Sequence, residues 1–159
     1  MTRVTRARVT VEGREAGAIG RGLLALVGVE RGDGPRDVEY VARRIAGARV
    51  FDDGGGGQTD VAGAGGAVLV VSQFTLLGAL RRGRRPDFLR AAPRAEAAPV
   101  LSALVERLRR EGLTVATGEF GAHMLVESVN DGPYTLWFDS RAGPEDGGQA
   151  GGNGREGAS

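Results

Sequence analysis

This sequence of 159 residues contains no cysteine, no lysine and one histidine, His123. Without cysteine it can form no disulfide, thiolate nucleophile or cysteine zinc site, which fits a reducing compartment. Without lysine it has no Schiff-base amine, pyridoxal phosphate anchor or P-loop lysine, and a single histidine cannot build a multi-histidine metal site. We therefore predict chemistry that uses no metal and no cofactor.

Long apolar runs and a strong net charge are also missing. No stretch approaches the roughly 20 apolar residues needed to cross a bilayer, and the start "MTRVTRARV" lacks the apolar core of a signal peptide. The sequence therefore predicts a cytoplasmic protein with no membrane partner. The formal net charge of +1 does not by itself indicate a nucleic-acid partner. We predict that the protein does not bind DNA.

The first half of the chain predicts strands followed by a helix. A strand, a turn at residues 12–13 and a short return strand lead to an apolar strand from Leu23 to Val29. Pro35 suits the first position of a helix, where no N–H is needed. The helical spacing after it ends at residues 47–48. A short strand "RVFDD" follows.

The middle of the chain predicts a loop, a central strand and a second helix. The stretch "GGGGQ" is typical of a flexible loop. The near-continuous apolar run from Ala67 to Thr75 favours a strand buried on both faces. A second helix is predicted from Ala95 to Glu111, with Gly112 as its stop and Pro99 disturbing its first turns.

The last part of the folded chain predicts three strands, "LTVATG", "GAHMLVESV" and "YTLWFDS", with a turn "NDGP" joining the last two. His123 falls in the second of them. The order of elements indicates one mixed α/β (α+β) domain with antiparallel hairpins over residues 1–140. Residues 141–159 are rich in glycine and charge, hold no large apolar side chain, and are predicted to form a disordered tail.

Three polar segments are candidates for function. Ser72, Gln73 and Thr75 end the central strand, where side chains and N–H groups can meet a ligand, although this stretch alone favours ordinary hydrogen bonds to neighbouring loops. "NDGP" alone is a common turn. The segment "RRGRRPDFLR" holds five arginines and one aspartate, a density suited to phosphates or to a merely solvated loop.

The spacing of several motifs together is more specific than any one of them. The stretches that match are "RVTRARVTVEG", "GLLALVGVERGD", "GGAVLVVSQFTL", "RRPDFLRAAP", "ATGEFGAHM" and "VNDGPYTLWFDS". Across these stretches, which run from Arg3 to about Ser140, the chain resembles the D-aminoacyl-tRNA deacylases. The resemblance implies a barrel-like sheet with two main helices, assembled as a homodimer. It also implies that aminoacylated tRNA is the partner and that the reaction is hydrolysis of the ester between a D-amino acid and tRNA. Glycyl-tRNA is implied as a further substrate.

The resemblance also implies roles for particular residues. The Phe74 and Thr75 N–H groups would bind the ester carbonyl oxygen as it becomes negative, with help from the terminal 2′-hydroxyl of the tRNA. Gly132 and a cis Pro133 of the partner subunit would exclude an L side chain. The catalytic set implied is Ser72, Gln73, Phe74 and Thr75. The pocket set is Phe88, Met124 and Asn130. The tRNA-binding set is Arg81, Arg82, Arg84 and Arg85.

The chain departs from the family pattern at several positions. Its start is about four residues shorter, with Thr2 in place of a glutamine, and "GGQTD" replaces a lysine, methionine and asparagine run. Tyr134 stands where valine or phenylalanine is usual, and His123 replaces an aspartate. Three alternatives stay open: a non-catalytic tRNA-binding module, a serine or threonine esterase, and a deacylase of L-alanyl-tRNA with a trans Gly-Pro peptide.

Overall fold

A computed structural model describes residues 1–80 and 85–142 of the chain, with the predicted order of strands and helices. The strands are β1 Thr2–Val11, β2 Arg14–Ile19, β3 Gly22–Val27, β4 Phe51–Asp52, β5 Gln58–Thr59, β6 Ala67–Ser72, β7 Thr114–Thr117 and β8 Leu125–Thr135. The helices are α1 Pro35–Gly47 and α2 Arg94–Arg110, with a short 3₁₀ turn at Phe74–Leu77. Both helices and the hairpin at the start are confirmed. Residues 143–159, most of the predicted tail, lie outside the described residues.

The main sheet is organised around β1. β2 and β3 follow each other along one edge of β1, in nearly continuous antiparallel register from Val11 opposite Arg14 to Thr2 opposite Leu24. β8 pairs antiparallel with the other edge. β6 then joins β3 in parallel, and β7 joins β6.

The end of this sheet curls back toward its beginning. A Cβ added to Gly17 of β2 would collide with the Thr117 carbonyl of β7. Two strands that are not paired in the sheet therefore come into close contact, and only glycine permits the approach. The nearly closed, barrel-like arrangement is confirmed, and it bears two helices on its outside.

β6 is buried on both faces, as predicted. Val68 and Val70 pack into a cluster that includes Ile45 of α1 and Leu104 of α2. Leu69 and Val71 point the other way, into the barrel, where they meet Val4 and Val9 of β1. Because successive side chains of a strand alternate between faces, a strand covered on both sides needs an unbroken apolar run. The members of this run that are buried are Val68, Leu69, Val70 and Val71.

β6 ends at Ser72, so the prediction of a strand as far as Thr75 is wrong. Its ladder with β3 stops at the pair Val27 and Ser72, and the Gln73 N–H donates to the Val27 carbonyl at 2.8 Å. β3 has no further residue to pair with. The next residues, Phe74–Leu77, therefore close on themselves as a 3₁₀ turn.

The predicted turn at "NDGP" is also wrong, because β8 runs without reversal through Asn130 to Thr135. β1 offers it a partner over nearly its whole length. Thr2 pairs with Thr135 and Val4 with Asn130, so residues 131–134 lie opposite Arg3 alone. The Gly-Pro pair therefore lies in a wide bulge of a strand. "YTLWFDS" forms no separate strand, and His123 lies in the segment before β8.

Two smaller expectations also fail. α2 runs uninterrupted through Pro99, since the missing N–H frees only the carbonyl of Ala95, which is exposed to water. Gln58, predicted in a loop, belongs to β5 and pairs with Asp52.

In the described part of the chain, no helix is both long and apolar enough to cross a membrane.

The closeness of β3 and β6 at Gly22 gives a test of the barrel. A Cβ at Gly22 would overlap the backbone of Ala67, which has no side-chain freedom with which to yield. We expect Gly22→Ala to lower the free energy of unfolding by about 1–3 kcal/mol, as overpacking does. Gly20→Ala, where nothing lies within 4 Å of the added carbon, is the control. Equal urea midpoints for the two variants would contradict the tight pairing.

Candidate active site

A cleft of about 290 Å³ opens where β6 and β7 end beside α2. Ser72 and Met124, both predicted site residues, lie in its wall. The Gly118 N–H donates to the Val70 carbonyl at 3.1 Å, and the absence of a side chain on Gly118 leaves room for the Met124 sulfur. The cleft therefore combines the hydroxyl-bearing residues Ser72, Ser102 and Thr117 with a flexible apolar side chain, Met124.

Phe120 closes one side of this cleft, and the sequence analysis did not identify it. Arg94 holds it, since the Arg94 guanidinium lies 5.7 Å from the ring centre and donates to the Phe120 carbonyl at 3.2 Å. Glu106 and Arg109 form a 2.9 Å ion pair in the same wall. Phe120 belongs to the stretch "ATGEFGAHM" used for the resemblance, so that stretch carried the signal.

The 3₁₀ turn after β6 presents two backbone donors. Its first internal hydrogen bond runs from the Leu76 N–H to the Gln73 carbonyl at 3.2 Å. The N–H groups of Phe74 and Thr75 precede that bond, so the turn's own carbonyls do not use them. The turn is exposed, with 54% of Phe74 open to solvent. Thr75 is exposed as well, so both residues that carry these donors lie at the surface.

Phe74 is positioned by Phe88, another predicted pocket residue. Their rings meet edge to face with centres 5.1 Å apart. Gly78 lies against the edge of the Phe88 ring, where a Cβ would be 2.8 Å from a ring carbon. These contacts fix the direction of the 3₁₀ turn.

In the described part of the chain, the partner found for the Thr75 hydroxyl is an amide and not a base. The hydroxyl accepts a hydrogen bond from the side-chain amide of Gln73, and an amide cannot take up a proton. Within residues 1–80 and 85–142, this is the side-chain hydrogen bond found for Thr75. His123 is exposed in the segment before β8. The geometry favours positioning of a substrate over attack by Thr75.

The Gly-Pro bulge is held by Arg3, which the sequence analysis quoted but gave no role. The Arg3 guanidinium donates to the Asp131 carbonyl at 3.0 Å, lies 3.1 Å from the Asp131 carboxylate, and binds the Val50 carbonyl. It also stacks on Tyr134, 4.4 Å from the ring centre. Only 14% of its side chain is exposed. No local pattern reveals this contact, because it depends on the pairing of β1 with β8.

One chain does not bring all the predicted residues together. Gly132 and Asn130 line neither this cleft nor the second cavity described below, and Asn130 is exposed on β8 opposite Val4. Arg81, Arg82 and Arg84 lie outside the described residues. Arg85 is exposed, next to a bridge in which Ala79 and Asp87 exchange hydrogen bonds of 2.9 and 3.0 Å.

An ion cluster ties this arginine segment to the barrel. Arg90 binds both carboxylate oxygens of Glu30 at 3.1 and 2.6 Å. Arg141 reaches Glu30 at 3.3 Å and Asp33 at 2.8 Å. The hydrogen bond from Arg90 lowers the pKa of Glu30, against the opposing effect of burial, and Arg141 lowers it further. Glu30 is therefore ionised at neutral pH, and its ion pair with Arg90 fixes that end of the arginine segment to the barrel.

Several large apolar side chains remain exposed along β8 and just after it. On β8 they are Leu125, Val126 and Val129. Leu125 and Val129 lie on one face of the strand and Val126 on the other, because side chains alternate. Leu136 and Trp137 follow, with 70% of Trp137 exposed, and both line a second cavity of about 240 Å³ between α1, α2 and residues 135–140. The exposed pair on one face of β8 indicates a contact surface.

Comparison with known proteins shows which family the chain is similar to. The sequence model of the family described as D-Tyr-tRNA(Tyr) deacylase matches residues 1–139. A D-aminoacyl-tRNA deacylase of Heliobacterium modesticaldum is 57% identical over 142 residues, covering 89% of this chain and 95% of the relative. One of Symbiobacterium thermophilum is 54% identical over 139 residues, covering 87% and 92%.

Two solved structures are similar in fold. One, "c-Myc DNA Unwinding Element Binding Protein", is 39% identical with a TM-score of 0.82, covering 89% of this chain and 97% of that chain. The other, "Structural Analysis of a probable eukaryotic D-amino acid tRNA deacylase", is 16% identical with a TM-score of 0.72, covering 87% and 96%. At that identity the second likeness concerns the fold alone.

Proposed function

The chain belongs to the D-Tyr-tRNA(Tyr) deacylase family, whose members hydrolyse aminoacyl-tRNA esters, and from this premise we propose a mechanism in which position, not a side-chain base, does the chemistry. The observation that carries it is the 3₁₀ turn after β6. The turn offers two N–H donors shortly after Ser72, which lines the cleft, while the Thr75 hydroxyl accepts a hydrogen bond from the side-chain amide of Gln73. An aminoacyl ester is already activated, so it needs little help from a base.

In this mechanism the ester carbonyl oxygen lies against the N–H groups of Phe74 and Thr75. Water adds to the carbonyl carbon, and the oxygen gains negative charge that the two donors stabilise. The carbon–oxygen bond to the terminal ribose then breaks. The water supplies the hydroxyl of the free amino acid and the proton that returns to the ribose oxygen, with the adjacent 2′-hydroxyl of the tRNA positioned to relay it.

We assign the choice of stereoisomer to a second copy of the chain. Its bulge at Gly132 and Pro133, with a cis peptide, would reach the pocket and obstruct an L side chain. Three features support this: Arg3 holds the bulge firmly, Gly132 is exposed, and Leu125 and Val129 are exposed on one face of β8. A backbone carbonyl suits this role because it is rigid and unreactive.

We assign tRNA binding to the arginine segment. Arg85 is exposed, and the bridge between Ala79 and Asp87 and the ion pair of Arg90 with Glu30 hold the base of the segment. Guanidinium groups presented from a fixed base can pair with phosphates in fork geometry. Such contacts weaken as salt rises, by a slope of about −0.7 per phosphate neutralised in single strands.

The first test compares substrates. We expect the protein to hydrolyse D-Tyr-tRNA and glycyl-tRNA and to spare L-Tyr-tRNA, because only the L side chain meets the obstructing carbonyl. Release of labelled amino acid measures each rate, and a free D-tyrosine ester shows whether the tRNA is needed. Equal rates on the D and L forms would remove the exclusion mechanism. Hydrolysis of L-Ala-tRNA in preference to the D form would establish the alternative specificity.

The second test separates the Thr75 hydroxyl from the Thr75 N–H. Thr75→Ala removes the hydroxyl and keeps the N–H, so we expect kcat within about threefold of the wild type. Thr75→Pro removes the N–H at an early position of the turn, where proline fits. We expect it to lower kcat by about 10²–10³-fold, the effect of losing one oxyanion donor. A dead Thr75→Ala enzyme with a trapped acyl group would instead identify Thr75 as the nucleophile.

The third test asks whether each site uses two chains. Gly132→Ala puts a methyl group at the obstructing bulge and should lower the rate on D-Tyr-tRNA. Coexpressed with Thr75→Pro, it should form mixed dimers in which one site has an intact turn and an intact bulge. Random pairing then restores about a quarter of the wild-type sites. No gain over the separate variants, or full activity in a monomer, would contradict a shared site.

A further inference from the structure

We propose that Gln58 is a positioning residue that braces the Gly132 bulge through the hydroxyl of Tyr134. The Gln58 side-chain amide donates to the Tyr134 hydroxyl at 2.6 Å. The two residues are 76 positions apart, and the sequence departs from the family pattern at both. The inference rests on the proposed role of Gly132 in excluding L substrates, and it assigns a second support to that bulge.

The bulge is held at both ends. At its start, Arg3 binds the carbonyl and carboxylate of Asp131. At its end, the Tyr134 ring lies under the same guanidinium and its hydroxyl is fixed by Gln58. Gly132 lies between these points, and within residues 1–80 and 85–142, its chain neighbours aside, the atom that a Cβ there would meet is the Asn130 side-chain oxygen at 3.7 Å. The apex is free while its flanks are fixed.

Arg3 alone does not determine where Tyr134 lies. Stacking of a cation on a ring permits sliding and rotation in the plane of the ring. A hydrogen bond to the phenol oxygen restricts both movements, because it requires a short distance and a narrow angle. Gln58 therefore supplies the directional contact that the stacking lacks.

The support for Gln58 is itself firm, although it follows a run of four glycines. β5 pairs with β4, where Phe51 is fully buried in the core. The Asp53 carboxylate accepts hydrogen bonds from the N–H groups of Gly55 and Gly57 at 2.8 and 2.9 Å. Gly54 and Gly56 have φ values of 80° and 88°, which suit glycine and close the loop. The hairpin therefore connects the bulge to the core.

The consequence is a specificity effect that differs from a stability effect. If the brace is lost, the bulge keeps its Arg3 contacts but its apex has more freedom. An L side chain then meets a movable obstruction, while a D substrate, which does not touch it, reacts as before. We therefore expect a change in the D to L ratio with little change in the rate on the D substrate.

The test uses three full-length variants. Gln58→Ala removes the donor, Tyr134→Phe removes only the hydroxyl and keeps the ring under Arg3, and the double variant removes both. Each single variant should raise kcat/KM for L-Tyr-tRNA relative to D-Tyr-tRNA by about 2- to 10-fold, which corresponds to one net hydrogen bond. The double variant should match the larger single effect, since both changes break the same contact. Gln58→Glu, which can accept from the Tyr134 hydroxyl, should restore the ratio.

A second measurement does not depend on substrates. The ¹⁵N order parameter of Gly132 should fall in Gln58→Ala and in Tyr134→Phe and recover in Gln58→Glu, while the melting temperatures stay within a degree or two of the wild type. Unchanged order parameters, or additive effects on the ratio, would overturn the brace. If the wild type fails to distinguish D from L, the proposed function fails, whereas an unchanged ratio in variants of a discriminating enzyme refutes Gln58 alone.

Discussion

The pairing of β1 on both of its edges is the constraint on which the rest of the molecule depends. One edge receives β2 and β3 in sequence, and the other receives β8. Ala7 and Val9 point into the barrel together because side chains alternate along β1. The irregularity between Val4 and Arg6 brings Val4 to the same side, and Arg3, on the opposite side from Val4, contacts the bulge of β8. The interior of the barrel and the control of the Gly-Pro segment therefore both depend on how β1 pairs with β8.

Much of this fold could be predicted, and the two main failures have a common physical cause. Strong periodicity identified α1 and α2, the turn at residues 12–13 identified the first hairpin, and the apolar run that starts at Ala67 indicated burial on both faces. The two main errors lie at the ends of strands. Whether β6 stops at Ser72 depends on the length of β3, and whether "NDGP" turns depends on whether β1 continues beside it. Local composition contains neither fact.

The candidate site likewise has a part that could be predicted from the sequence and a part that could not. The polar end of β6 was visible in the sequence, and the spaced motifs from Arg3 to about Ser140 pointed to the family that the comparisons show. Arg3, Phe120 and Gln58 gained roles only from contacts across long separations in the chain. An arginine in a strand and a glutamine after four glycines look ordinary until their partners are known. Motifs therefore identify the chemistry, while the supports that make it selective come from tertiary structure.

The bulge of β8 has one more implication, which concerns how such a protein can change. On either side of it, β8 is paired with β1, at Thr135 on one side and at Asn130 and the residues before it on the other. Residues can therefore be added to or removed from the segment 131–134 without shifting a single pair of the barrel, since the ladder closes independently on each side. The distance by which the backbone of this segment projects from the sheet can therefore change independently of the strand pairing. Evolution or design could adjust the size of side chain that the enzyme tolerates by changing loop length alone, while leaving the scaffold intact.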